Sequence, residues 1–267
     1  MRIVVKVGGT LIAEPDIFAN IAQDFQVITA TNQCVLVHGG AKIVNKFAEK
    51  MGKEQRFVTS ASGFRSRYTD RETMEIFEMV MAGKINKELV VSLQKNSINA
   101  IGLSGVDGGL IRAQRKGRIK IIDENGRKRM ISGDYTGKID EVDGNLLTLL
   151  LENGYLPVVA PIALSHEYDP LNCDGDRTAA YIARAVSADK LILLTDVSGL
   201  LIDDKVMALL TAAEARNTLN KIGAGMKKKV FGALEALEGS VEEVIIASGL
   251  TEAPISQALE HKGTVIS

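Results

Sequence analysis

The chain has little that would staple, anchor or charge it as a whole. Its 267 residues hold only two cysteines, Cys34 and Cys173, far apart and in no CxxC or Cys/His spacing, which argues against a disulfide framework or a zinc site. Both read as reduced thiols. Formal net charge is −1, so no global field draws the chain to nucleic acid or to an anionic membrane. The first apolar run, broken by Arg2 and Lys6, is too short and too charged for a signal peptide, and no other stretch reaches spanning length. Cytoplasm is therefore the expected compartment. There is no internal repeat, low-complexity tract or Pro/Ser-rich linker. The common nucleotide signatures are missing too: nothing fits G-x-x-x-x-G-K-S/T or G-x-G-x-x-G, which disfavours P-loop and Rossmann readings.

What remains is an ordinary globular composition, 46% hydrophobic and 24% charged, on a chain long enough to bury a sizeable core without crosslinks. Short β-branched runs at residues 3–7, 34–37, 156–160, 191–194 and 244–247 end in glycine or small polar residues and read as buried parallel strands. Amphipathic stretches at 71–95, 145–153 and 177–187 supply crossover helices. The expected fold is α/β, a three-layer α/β/α sandwich with a mainly parallel open sheet. Residues 110–143 break the rhythm and read as a β-hairpin insertion, with Asp123 and Glu124 leading into an Asn125-Gly126 turn.

Ligands of open α/β sheets bind at the carboxyl ends of the strands, so the residues after each apolar run carry the functional expectations. Lys6-Val7-Gly8-Gly9-Thr10 puts a lysine at a strand end, then two glycines whose bare backbone lets an oxyanion reach N–H groups; the plain alternative is a turn. His38-Gly39-Gly40-Ala41-Lys42 repeats the device at a helix start, with His38 read as a packed strand-end residue. Asp174-Gly175-Asp176 precedes a helical run, where a cap or a metal ligand is the plain reading. Lys227-Lys228-Lys229 could equally be a solvated helix face.

These segments, with Gly63-Phe64-Arg65, Asn172-Cys173 and Leu194-Thr195-Asp196-Val197-Ser198-Gly199, stand in an order that resembles the amino acid kinase family from end to end. Within it the resemblance is strongest to N-acetylglutamate kinase and its relatives acting on glutamate or 2-aminoadipate attached to a LysW-type amino-group carrier protein. The longer segment around Arg67-Tyr68, and Asp174 where acetylglutamate kinases usually carry asparagine, favour the carrier-dependent branch. The resemblance implies ATP as phosphoryl donor with Mg²⁺, no dedicated protein metal site, and transfer to a side-chain carboxylate. It places Lys6 and Lys229 on the transferring phosphate and Asp176 between them as the orienting carboxylate. Gly39, Gly40, Arg65 and Asn172 would hold the acceptor, and Gly8, Gly9, Thr195, Asp196 and Gly199 the nucleotide. Residues 1–170 would form the acceptor and dimerisation lobe and residues 171–267 the nucleotide lobe, in one continuous sheet.

Two alternatives stay open: an acetylglutamate kinase, and a non-catalytic amino-acid or nucleotide-binding regulator on the same fold. The resemblance also implies a homodimer, without the N-terminal extension of arginine-sensitive hexamers because Lys6 lies so near the start. A small acidic carrier as partner would need a local basic surface. Arg112, Arg115, Lys116, Arg118 and Lys120 on the hairpin's first side, with Arg127, Lys128 and Arg129 after its turn, are the candidates, and Arg67 and Tyr68 would contact the carrier's terminal segment.

Overall fold

The apolar runs become strands because each has two faces to bury. In the computed structural model, which describes residues 1–61, 63, 65–122, 126–202, 205–239 and 241–267, all five runs lie in one sheet and run parallel. Its order is Leu209–Leu210, Thr264–Ile266, Glu243–Ser248, Lys190–Thr195, Arg2–Val7, Gln33–His38, Leu156–Ala160, Ala100–Ser104. Thr264–Ile266 alone among these contacts runs antiparallel, against Glu243–Ser248. The sheet is continuous from Arg2–Val7 into Lys190–Thr195, with Lys6 opposite Leu193.

Side-chain alternation divides the core. Ile3, Val5 and Val7 face a cluster under the helices Pro15–Thr29, Arg71–Glu78, Asn86–Lys95 and Pro254–Leu259. Val4 faces the opposite cluster, under Gly144–Glu152, Gly175–Ala185 and Ala224–Leu237. The expected α/β/α layering follows. The helical stretch at 71–95 widens into a π-helical section, Met79–Ile85. That section delivers Asn86 into the core, where its side-chain amide donates to Val158 O (2.8 Å) and Leu103 O (3.2 Å) and ties two strands together.

The insertion is richer than one hairpin. Arg118–Ile122 and Lys128–Ser132 pair antiparallel, Ile121 opposite Arg129, and Phe57–Ser60 and Arg65–Arg67 extend them to four strands. The turn residues Asp123, Glu124 and Asn125, like Ser62 and Phe64, lie outside the described residues. Ile111–Arg115 and Gly137–Val142 instead build a second small sheet with Ile162–Ser165 and Pro170–Asn172. Arg112 and Arg115 therefore do not belong to the hairpin, contrary to the expectation from sequence. The boundary is set at the hairpin root, where Gly133 N donates to Gly117 O (3.0 Å) and the chains come so close that a Cβ on Gly133 would meet Lys116 O at 1.6 Å. No helix among the described residues is long and apolar enough to cross a membrane.

Candidate active site

The alternation that buries Val4 sends Lys6 to the same face, toward the start of the helix Gly175–Ala185. Asp174 caps that helix, its Oδ1 accepting from Asp176 N (3.0 Å) and Arg177 N (3.2 Å). The cap is thus supplied two residues before Asp176, whose carboxylate stays available for side chains. Lys6 Nζ lies 2.6 Å from Asp176 Oδ1, both side chains 8% exposed. Lys229 Nζ reaches the same carboxylate from the helix Ala224–Leu237, at 3.2 Å from Oδ2 and 3.3 Å from Oδ1. Gly232, one turn further along that helix, lets it come this close: a Cβ there would sit 3.1 Å from Asp176 O. A glycine inside a helix costs about 1 kcal/mol relative to alanine, and this close approach is what it permits. Sequence reasoning passed over Gly232; its spacing three residues after Lys229 was the available signal. Arg177 donates to both carboxylate oxygens of Glu235 through Nε and Nη2, one edge of its guanidinium, and fastens the same two helices.

Two cations share one buried carboxylate, so the cluster carries a surplus positive charge. Burial disfavours ionised Asp176, but the Lys6 and Lys229 charges outweigh it and hold its carboxyl well below the usual range. For Lys6, burial is likewise overcome by Asp176 and its pKa rises. For Lys229, burial and repulsion from Lys6 win, and its pKa is lowered. With two lysines on one carboxylate, the cluster could accommodate a further anion.

The two glycine turns interlock at the carboxyl ends of neighbouring central strands. A Cβ on Gly9 would fall 2.7 Å from Gly40 N, and one on Gly39 would fall 2.7 Å from Gly9 N, closer than real Cβ atoms approach. His38 behaves as a packed residue: its Nδ1 donates to Gly39 O (3.0 Å) and its Nε2 accepts from Asn86 Nδ2 (3.3 Å). Burial pushes its pKa down to about 4, so the ring is neutral at physiological pH. Both cysteines are buried free thiols.

A cleft of about 400 Å³, within the range of small-molecule sites, opens at these strand ends. Of the residues singled out from sequence, Lys6, Gly9, Gly39, Gly40, Arg65, Asn172 and Asp176 line it. Lys229 joins through Asp176, and its neighbour Lys228, also in the wall, pairs with Asp174 Oδ2 at 3.2 Å. Gly8, Thr195, Asp196 and Gly199 do not line the cleft. Gly8 N donates to Leu194 O (3.1 Å), which ties it to the end of the strand carrying Thr195, and Thr195 Oγ1 donates to Asp196 Oδ1 (3.2 Å). Gly199 packs against Thr264, where a Cβ would meet Oγ1 at 2.6 Å.

Arg67 departs from expectation. It is 6% exposed, bonded to Gln55 Oε1 and to Ala41 O (3.2 Å), and faces the ring of Phe57, so it braces the cleft wall rather than standing out from the surface. Lys116 and Thr136, which sequence reasoning did not assign to the cleft, also line it. Among the described residues no group of three or more His, Cys, Asp or Glu is arranged to hold a metal ion.

A cation pair bridged by a carboxylate at strand ends, beside two glycine turns, is an arrangement suited to an anionic group. The model of the amino acid kinase family matches residues 1–248. The chain belongs to the amino acid kinase family. It is 50% identical over 264 residues, 99% of this chain and 98% of the other, to a Nitrosopumilus maritimus protein provisionally named LysW-aminoadipate/LysW-glutamate kinase. It is 45% identical over 266 residues, 99% of each chain, to the LysW-aminoadipate/LysW-glutamate kinase of Saccharolobus solfataricus. In fold this amino acid kinase also resembles N-acetylglutamate synthase from Neisseria gonorrhoeae, with TM-score 0.81 and 23% identity over all of this chain and 59% of that one. Giardia lamblia carbamate kinase bound to AMP-PNP shares the fold as well, with TM-score 0.70 and 15% identity over 99% and 98% of the two chains.

Proposed function

We propose that this amino acid kinase transfers the γ-phosphoryl group of ATP to the side-chain carboxylate of 2-aminoadipate, glutamate or both, carried through the amino group on a small acidic carrier protein, in lysine and/or arginine biosynthesis in the cytoplasm. The observation that carries the reading is the near-full-length similarity, at 45–50% identity, to kinases of that name. The Lys6–Asp176–Lys229 cluster supports the chemistry. Donor and acceptor are both anionic, and charge spreads over the phosphoryl oxygens in the transition state, so cations on both sides lower the barrier without a covalent intermediate. In this reading Lys6 and Lys229 take the transferring group, Asp176 keeps them apart and aimed, and the turns of Gly8-Gly9 and Gly39-Gly40 offer backbone N–H groups. Arg65 and Asn172 hold the acceptor, and Thr195, Asp196 and Gly199 belong to the nucleotide side. Magnesium would arrive with the nucleotide, held mainly by phosphate oxygens and neutralising part of their charge.

The lobes at 1–170 and 171–267 and a homodimer belong to the same reading. The carrier would dock on the basic hairpin, where Arg118, Lys120 and Lys128 are exposed and whose first strand follows the cleft residue Lys116. Arg115 is withdrawn from this role: it lies on the other small sheet, paired with Asp169 at 3.2 Å and stacked on Tyr135 at 3.7 Å. The test is acyl-phosphate formation from ATP and Mg²⁺ with carrier-linked aminoadipate, carrier-linked glutamate, acetylglutamate and free glutamate as acceptors. Preference for a carrier-linked acceptor is expected. Preference for acetylglutamate would assign an acetylglutamate kinase, and no turnover with any acceptor would favour a binding-only regulator.

A further inference from the structure

Asp134 is a carboxylate 2% exposed, placed two residues after the hairpin strand Lys128–Ser132 and three before the sheet strand Gly137–Val142. It accepts hydrogen bonds from three donors. Oδ2 accepts from Thr69 N (2.8 Å), and Oδ1 accepts from Thr136 N (3.2 Å) and Thr136 Oγ1 (2.5 Å). Its backbone carbonyl accepts from Arg115 Nε at 3.1 Å. Thr69, fully buried, is held from a second direction because Tyr135 N donates to its carbonyl at 2.7 Å. The fixed Thr69 hydroxyl in turn accepts from Asn172 Nδ2 at 3.1 Å, while Tyr135 O accepts from Asn172 N at 2.8 Å. Thr136 and Asn172 both line the cleft, and Arg65 lies four residues before Thr69.

A burial this deep is expensive for a carboxylate unless every oxygen is satisfied, and here all three donors come from the segments that frame one end of the cleft. We propose that Asp134 is a positioning residue for the acceptor: it fixes Thr69, and through Thr69 the amide of Asn172, and orients the hydroxyl of Thr136, without touching substrate itself. It also sits at the root of the hairpin, so the same carboxylate sets how that hairpin stands over the cleft. This rests on the assignment of Asn172 to the acceptor in the proposed function.

Three donors can be met by two carboxylate oxygens but not by a carboxamide, whose NH₂ must oppose an N–H or O–H donor. Asp134→Asn is therefore nearly isosteric yet mismatched at one bond. With the acceptor that wild type uses best, we expect KM for the acceptor to rise about tenfold while KM for ATP changes less than about twofold. Amide hydrogen exchange at Thr69 and Tyr135, measured without substrates, should speed up in the variant while the main-sheet amides keep their protection. Should Asp134→Asn fail to fold, Thr69→Val against Thr69→Ser reads the second half of the relay, from Thr69 to Asn172: the valine should reproduce the acceptor defect and the serine, which keeps the hydroxyl for Asn172, should restore it, and an acceptor KM unchanged in the valine variant would overturn the relay. Unchanged acceptor KM and unchanged exchange at Thr69 would overturn the proposal, as would equal losses for acceptor and ATP. The exchange measurement judges Asp134 even if wild type turns over none of the candidate acceptors, an outcome that would sink the proposed function instead.

Discussion

The two ends of the cleft are built from different material. At the phosphate end, Lys6, Asp176 and Lys229 hang from a core strand and two long helices, are almost wholly buried, and are held by charge. At the other end, Arg65, Thr136 and Asn172 sit on or beside strands of three to six residues in the two small sheets; Arg65 is exposed over the Phe57 ring, and Thr136 and Asn172 are held by hydrogen bonds to Asp134 and Thr69. In the proposed reading, chemistry common to a kinase family would need charges that do not move, which the packed core supplies, and choice of acceptor would need surfaces that can be altered without unfolding the protein, which a peripheral sheet supplies.

The largest expected effect tests the phosphate end. Lys6→Ala and Lys229→Ala should each stay folded by circular dichroism yet lower kcat by roughly 100- to 1,000-fold, because each removes charge most useful in the transition state. Near-normal turnover in either variant would remove that lysine from the chemistry. Arg65→Ala should act at the opposite end, raising acceptor KM about tenfold with ATP KM nearly unchanged. A selective loss of ATP affinity would erase the division between the ends. A smaller effect is expected from reversing Arg118, Lys120 and Lys128 to glutamate: about three- to tenfold slower use of a carrier-linked acceptor at low salt, shrinking as screening shortens to about 8 Å at physiological ionic strength. A small acylated acceptor should be indifferent, and unchanged carrier kinetics across the salt series would move the dock elsewhere.

The subtlest prediction concerns pH. Because burial and Lys6 lower the Lys229 pKa, its proton is lost at lower pH than from an ordinary lysine, so kcat/KM should fall on an alkaline limb below the usual lysine range. Bound phosphate favours the cation, so the limb in kcat should lie at higher pH than the limb in kcat/KM. Lys229→Arg should abolish the limb whatever its residual rate. A limb that stays put in Lys229→Arg would assign it to another group.

The phosphate end was largely legible in the amino-acid sequence, whereas at the acceptor end Arg65, Asn172 and the Gly39-Gly40 turn were named through the family resemblance and the residues that brace them were not. A five-residue apolar run with a lysine one place from its end and glycines beyond says where Lys6 must be, because alternation and strand ends are local properties. Even there a detail escaped: Asp174, not Asp176, caps the helix, as only the hydrogen bonds reveal. The short strands carry no comparable signal. Ala100–Ser104 contains a glycine at 102 and Leu209–Leu210 has two residues, too few for a pattern. Asp134 was not singled out from the sequence, and its partner Thr69 lies 65 positions away, beyond any local pattern. Arg115 counted toward a basic hairpin by proximity in sequence, whereas a glycine at the root sends it to another sheet.

The interlocked glycine turns have a consequence for anyone recombining this fold. Neither turn can be exchanged alone, since a methyl group on Gly9 runs into the backbone at Gly40 and one on Gly39 runs into the backbone at Gly9. The two strand ends are 30 residues apart in the chain but behave as one spare part, to be grafted together or left in place. A chimera that breaks between them must inherit a matching partner for each turn, and crossover points placed after Gly40 keep the pair intact.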